Sequence, residues 1–218
     1  MTTIGIPPGA NIGGRDTYRH GDLSRALVEA GVELARAGGP AAVALRAATR
    51  RAGVSPNAAY RHFADRRALL EAVCSASQGR VAEAIEAEQA LVADATDPLA
   101  AARLLFRAVG TGYLHFALAE PGLFQTAFTA STDLESATSG SRAGTSGRTP
   151  FQLLTDALDR LVAVGALPAE RRPGAEFLAW SAVHGLAMLL LTGPLRALGP
   201  EQAEALIRRV VDMVEQGL

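Results

Sequence analysis

The stretch Arg50–Leu70, RRAGVSPNAAYRHFADRRALL, decides the fold. Just before and into it, Val43, Ala47, Ala48 and Arg51 follow a helical spacing. Gly53 ends that helix, because glycine enters the left-handed conformation of a helix terminus without steric cost. Val54 is apolar and pins the turn to a core. Ser55 and Pro56 then open a second helix, since serine is a favoured N-cap and proline a favoured first helical residue. This helix is expected to run to Arg61 or His62. Its first turn presents Pro56, Asn57 and Ala58, whose short side chains allow close approach to a partner surface. Tyr60, Arg61 and His62 follow with a hydroxyl, a guanidinium and an imidazole. Phe63 closes the segment as a buried anchor, and Arg66 and Arg67 begin a third helix.

Two short helices around a tight turn, with a basic end, suit the reading of DNA. Charge distribution agrees. The whole chain of 218 residues carries a formal charge of only −1. Residues 1–67 nevertheless hold ten arginines against five acids, and residues 68–218 hold eleven against seventeen. A basic head on an acidic body is the footprint of a nucleic-acid-binding module carried by a different domain. Hydrophobic residues make up 49% of the chain, enough for a sizeable core. The single cysteine, Cys74, excludes an internal disulfide, reads as a small buried hydrophobe and fits a reducing, cytoplasmic setting. No signal-peptide pattern opens the chain. The longest apolar run, Leu186–Leu191, falls far short of the roughly 20 residues that span a bilayer, so no membrane partner is expected.

The fold class expected is all-α, with about nine helices. Residues 1–16, rich in glycine and proline, read as a disordered arm. Helix one is expected from about Gly21 to Ala37, closed by Gly38-Gly39-Pro40. Helices two and three form the motif. Helix four runs from about Asp65 to Val92 with Leu69, Val73, Val81, Ile85 and Leu91 on its apolar side. Helix five runs from Asp97-Pro98 to about Ala119, and a short sixth covers Leu123 to Phe128. Ser131–Thr149 is Ser/Thr/Gly-rich, with almost nothing to bury, and reads as a mobile loop. Helices seven, eight and nine span about Pro150–Val164, Pro173–Leu191 and Pro200–Glu215. The domains expected are a DNA-binding unit at 17–64 and an effector-binding and dimerisation unit at 65–218.

Ala52, Gly53, Val54, Ser55, Tyr60, Arg61, His62, Phe63, Arg66, Leu69 and Leu70 together resemble the helix-turn-helix of tetracycline-repressor (TetR) family regulators. Ala44 departs from the family's usual Ser or Thr, and Arg66 stands where a lysine is common. The resemblance implies DNA contact by Arg46, Ser55, Pro56, Asn57, Ala58, Tyr60, Arg61, His62 and Arg66. Arg61 and Tyr60 fit phosphate contacts better than base reading, because phosphates take at least half of protein–DNA hydrogen bonds. Asn57 suits either an adenine edge or a solvated capping role, and His62 either a phosphate or the helix carbonyls.

Trp180, His184 and Gly185, in AWSAVHGLAMLLLTG, resemble the C-terminal domain of a TetR subgroup with a Trp-His-Gly signature. Trp180 and His184 lie four apart and share a helix face. They either line a pocket, form a core pair, or join a subunit contact beside Gly185. Phe106, Tyr113, Phe116, Phe124, Phe128 and Phe151 concentrate aromatics in helices five to seven. They read as core, or as the wall of a small-molecule pocket between bundle helices, a reading the resemblance favours.

The function expected is a ligand-responsive transcription regulator: a homodimeric repressor released from its operator by a small, largely apolar effector. One short recognition helix supplies few contacts, so two must reach successive major grooves of a palindromic operator. Helices eight and nine are the expected interface, with Leu195, Leu206, Ile207, Val210, Val211, Met213 and Val214 as its apolar surface. The alternative is a helical small-molecule-binding or catalytic protein with a vestigial DNA-binding head. No nucleophile–base pair, paired carboxylates or Gly-rich phosphate loop supports catalysis. His115 and His184 lack metal-ligand spacing, so neither metal nor cofactor is expected.

Overall fold

The computed structural model describes residues 13–129 and 135–218. Among these it holds nine α-helices: α1 (Gly13–Ala42), α2 (Leu45–Ala52), α3 (Pro56–Tyr60), α4 (Arg66–Ala90), α5 (Pro98–Ala119), α6 (Pro121–Ala127), α7 (Pro150–Ala163), α8 (Ala175–Leu191) and α9 (Pro200–Gly217). No strand occurs among the described residues. The all-α expectation and the helix order therefore hold. Residues 1–12 of the expected arm lie outside the described residues, while residues 13–16 already belong to α1.

The helix boundaries follow from short-range chemistry. α1 breaks at Gly38 and Gly39, the latter at φ +65°, before Pro40. Asp65 caps α4 by accepting the Ala68 N–H at 2.8 Å, and Asp97 caps α5 through Ala100 N–H at 2.7 Å. Thr149 and Gln152 cap α7 reciprocally, with Pro150 as its first residue. Each such cap satisfies a backbone donor that the helix itself leaves open.

α4 is the spine. Leu69, Val73, Val81 and Ile85 on its inner side are fully buried, against α1 at one end and α5, α6 and α7 along the rest. Leu91 does not join them. It lies past the end of α4 and is 79% exposed. α1 packs against α2, α3 and the spine α4, and Leu27, Val43, Ala48 and Phe63 are buried in the same core as Leu69 and Val73. α5, α7, α8 and α9 form the bundle behind. Truncating a buried aliphatic in this spine, such as Ile85, typically costs about 2–5 kcal/mol.

The segment expected to be a mobile loop with nothing to bury is different in the structure. Residues 131–134 lie outside the described residues. The remainder forms two 3-10 turns, Glu135–Thr138 and Gly140–Arg142, and is fastened to α4. Glu86 accepts hydrogen bonds from the Thr145 N–H, the Ser146 N–H and the Ser146 hydroxyl, at 3.1, 3.1 and 2.6 Å. Arg142 and Thr149 are buried. Composition misleads here because small polar residues, poor at making a core, are good at lying close against a helix.

Candidate DNA-reading head and effector cavity

α2 and α3 meet at the turn the sequence specifies. Gly53 adopts φ +67°, ψ 29°, and Val54 donates its N–H to the Thr49 carbonyl at 3.0 Å. Ser55 caps α3 by accepting the Ala58 N–H at 3.3 Å. Ala59 and Phe63 are buried and hold α3 to the body, which fixes the opposite face outward. Ser55, Pro56, Asn57, Tyr60 and Arg61 are exposed on that face, with Ala58 and His62 half-buried beside them. Tyr60, 52% exposed, is a large ring held in solvent for no packing reason. Arg46 is exposed on α2, and neither it nor Arg61 forms an ion pair among the described residues. Ala44, the N-cap of α2, offers no side-chain cap and no hydroxyl.

Arg66 has a structural task the sequence did not reveal. Its Nε donates to the Val43 carbonyl and a terminal nitrogen to the Pro40 carbonyl, both at 2.7 Å. The guanidinium thus ties the start of α4 to the end of α1. A lysine ammonium lacks the planar fork that reaches both carbonyls at once.

Behind the head, α4, α5, α7, α8 and α9 enclose a cavity of about 340 Å³, in the range of small-molecule sites. Of the eight aromatic and histidine residues proposed from sequence, Phe106, Tyr113, Phe128, Phe151 and Trp180 line it. Phe124 and His184 stand behind this wall. Their rings stack with centroids 5.8 Å apart, and Phe128 lies 5.1 Å from each. Phe116 is buried but is not part of the lining. Ile85, Val183, Val211 and Val214 complete much of the apolar surface, and Gln78 and Arg142 bring polar groups to it. Sequence reasoning missed these. Arg142 did carry a signal: between residues 136 and 147 it is the lone charge in an otherwise Ser/Thr/Gly/Ala run.

A hydrogen-bonded triad crosses the wall. Trp180 Nε1 donates to the Tyr113 hydroxyl at 3.2 Å, and that hydroxyl lies 2.8 Å from His184 Nδ1. Burial pushes the Tyr113 hydroxyl far above its ordinary pKa and lowers that of His184. Both are therefore neutral, and the tyrosine O–H donates to an unprotonated Nδ1. Cys74 is buried, with its thiol donating to the Ala127 carbonyl at 3.0 Å, so it acts as packing.

Outside the cavity, α8 turns Phe177, Leu178, Met188 and Leu189 to solvent, and α9 turns out Met213. Gly185 is exposed in the middle of this α8 stripe, and a Cβ built there meets nothing within 4 Å. Ile207, Val211 and Val214 do not supply interface surface as expected. They are buried within the protomer, and Val211 and Val214 face the cavity. No group of three or more metal-ligating side chains occurs among the described residues. No described helix is long and apolar enough to cross a membrane.

Comparison with known proteins places these features. Residues 27–73 match the model for bacterial regulatory proteins of the tetR family, and residues 106–214 match the tetracyclin repressor-like C-terminal domain. A protein of unknown function from Rhodococcus sp. RHA1 is 25% identical with a TM-score of 0.67, over 92% of this chain and 97% of that one. A TetR-family transcriptional regulator from Pectobacterium atrosepticum is 20% identical with a TM-score of 0.62, over 92% and 94%. One from Marinobacter aquaeolei VT8 is 23% identical with a TM-score of 0.58, over 90% and 97%. No curated protein sequence matches the chain significantly.

Proposed function

The chain belongs to the tetracycline-repressor family of bacterial transcription regulators, and on that premise we propose that it is a homodimeric repressor released from a palindromic operator by a small, largely apolar effector. It is a DNA-binding, ligand-responsive regulator and not an enzyme. The Trp180-His184-Gly185 set supports the Trp-His-Gly subgroup. We assign DNA binding to residues 17–64 and effector binding with dimerisation to residues 65–218, and we place its action in the cytoplasm.

The exposed face of α3 supports Ser55, Pro56, Asn57, Ala58, Tyr60, Arg61 and His62 as the operator contacts, with Arg46 from α2. Arg66 joins them through whichever of its N–H groups the Pro40 and Val43 carbonyls leave over. The apolar stripe of α8, opened at Gly185 and flanked by Met213 of α9, supports a two-fold contact through α8 and α9. Such a pair would set two α3 helices for major grooves about 34–36 Å apart. Phe106, Tyr113, Phe128, Phe151 and Trp180 then contact the effector directly. Phe124 and His184 support that wall from behind, and Phe116 belongs to the core.

One observation carries the regulatory reading: α4 is a single rod whose first residue, Arg66, grips the head, and whose Gln78 and Ile85 line the cavity. From Arg66 to Ile85 the helix rises about 28 Å. An effector that fits one tilt of α4 better than the tilt that suits DNA lowers operator affinity by that difference. The test is anisotropy titration of genomic fragments selected for binding, with and without candidate effectors. Ligands that bind tightly and never change operator affinity would refute it.

A further inference from the structure

We propose that residues 135–149 form a strap that gates the cavity, with Glu86 of α4 as its latch: a ligand enters and leaves when the strap lifts off α4. The inference rests on the effector reading above and adds the route by which the site fills. The strap walls the cavity through Ala137 and Arg142, and it leads directly into Pro150 and Phe151 at the start of α7, which line it too. The other lining residues belong to helices or to the end of α6. Those helices are held by large buried side chains, among them Ile85, Phe106, Leu158 and Ile207. The strap has no such anchor, because its largest apolar side chain is alanine. Elements with few buried apolar contacts open at the lowest free energy, so the strap is the part of the wall that yields first.

Its attachment is suited to release. Glu86 accepts from the Thr145 N–H, the Ser146 N–H and the Ser146 hydroxyl. Bonds to an ionised carboxylate are stronger than neutral ones. All three nevertheless end on one half-buried side chain that water also reaches, so they can be exchanged for water together. Glycines let the strap lie close without interlocking. A Cβ on Gly79 of α4 would stand 3.0 Å from the Ala143 carbonyl oxygen, and one on Gly144 would stand 3.0 Å from the Ala82 Cβ. The strap also keeps its own shape. Gly144 donates to the Arg148 carbonyl at 2.9 Å and Gly147 to the Gly144 carbonyl at 3.1 Å, so this end lifts as a closed turn.

The experiment is stopped-flow mixing of the full-length protein with N-phenylnaphthylamine, a neutral dye that fluoresces in apolar surroundings. Glu86→Ala should raise the association and dissociation rates together, each by about tenfold, the typical contribution of one charge-assisted hydrogen bond. Kd should stay within about twofold, because free and bound protein lose the same latch. Glu86→Gln, which keeps a carbonyl acceptor without the charge, should fall between. Unchanged rates, or a faster dissociation with no faster association, would overturn the proposal, since the second is what a purely structural wall residue gives. The converse variant joins Ala82→Cys with Gly144→Cys, whose Cβ atoms need only a small outward shift to reach the roughly 3.5–4.5 Å of a disulfide. Oxidised, it should slow entry and exit, and reduction should restore both. Equal rates in the bridged and reduced forms would also overturn the gate, and this comparison within one protein decides even where Glu86→Ala fails to fold. Ala179→Phe, which fills the cavity from α8, separates the two levels. If it leaves dye binding unchanged, or if the dye does not bind the wild type, the effector reading falls together with the gate. If it abolishes dye binding while Glu86→Ala alters neither rate, the gate alone falls.

Discussion

Tyr113 of α5 and His184 of α8 are joined hydroxyl to imidazole at 2.8 Å, across the wall that separates the cavity from the α8 stripe. Trp180, which lines the cavity, donates to the same hydroxyl. Any ligand that displaces the indole must therefore also disturb the link between α5 and α8. Tyr113→Phe removes two hydrogen bonds and leaves the Trp180 N–H and His184 Nδ1 to find other partners. The expected loss is about 1–3 kcal/mol of stability, or a melting midpoint lower by several degrees. Ligand affinity should change while operator affinity of the free protein stays close to wild type. Calorimetric melting and the two titrations check this, and an unchanged melting point would show that the triad contributes nothing.

Arg61 stands exposed next to Tyr60 on the outer face of α3. Arg61→Ala should weaken operator binding and lower the slope of log affinity against log salt by about one, the signature of one lost phosphate contact. The substitution touches no buried group, so the melting point should hold. Loss of affinity at a single operator position, with the salt slope intact, would instead assign Arg61 to a base edge.

What could be read in the sequence was the chemistry that acts over a few residues. Gly53, Ser55 and Pro56 fix the turn by themselves, and Asp97-Pro98, Pro150 and Pro200 start helices where local capping demands it. What could not be read depends on who the neighbour is. Ile207, Val211 and Val214 form a helical stripe, and a stripe says that a face is buried without saying whether against the same chain or a second one. α8 is apolar nearly all round, so nothing in its sequence separates Leu186 and Leu190, which are buried, from Leu178 and Leu189, which are not. Arg142 reaches the cavity only because its loop folds back onto Gly79 and Glu86 of α4. Five of the eight proposed ligand contacts line the cavity, because most of the chain's aromatics fall in the helices that surround it, and their positions in the sequence do reveal that.

Gly185 separates the dimer reading from a merely apolar surface. A side chain there meets nothing in the protomer, so Gly185→Arg should leave the fold and melting behaviour of the monomer intact. In a two-fold contact through α8 it places a charged side chain where two helices approach. Sedimentation velocity should then show a shift from dimer to monomer, with operator affinity falling in step. A variant that remains dimeric would move the interface off this stripe.

The head also meets the body at a second joint, besides α4. α6 starts against the C-terminal part of α1, where Arg36 pairs with Glu120 at 2.9 Å. There a Cβ on Gly122 would stand 2.3 Å from the Ala35 carbonyl oxygen, closer than such atoms come without backbone movement. Gly122→Ala must push α6 off α1. We expect stability to fall by about 1–3 kcal/mol, as overpacking usually costs, and the dependence of operator affinity on effector to weaken. Full effector response in a folded Gly122→Ala protein would leave α4 as the only route.

His115 of α5 sets how the bundle responds to pH. Its Nδ1 lies 2.9 Å from Glu88 of α4 and its Nε2 3.0 Å from Glu204 of α9, so the ring bridges three helices. Partial burial lowers its pKa, but hydrogen bonds and charge from the two glutamates outweigh this, and the net shift is upward from 6.5. A histidine raised on folding adds stability that is complete below its unfolded value, near 6.5, and is lost as pH rises through the higher folded value. His184 acts oppositely. Burial lowers its pKa, so its contribution is complete above the unfolded value and is lost in acid. Comparing wild type with His115→Gln at each pH cancels His184 and isolates the bridge. The melting gap between the two should be widest on the acid side of neutrality and narrow as pH climbs past the raised value. A gap that stays constant from about pH 5.5 to 9 would show that the bridge does not depend on the imidazolium charge.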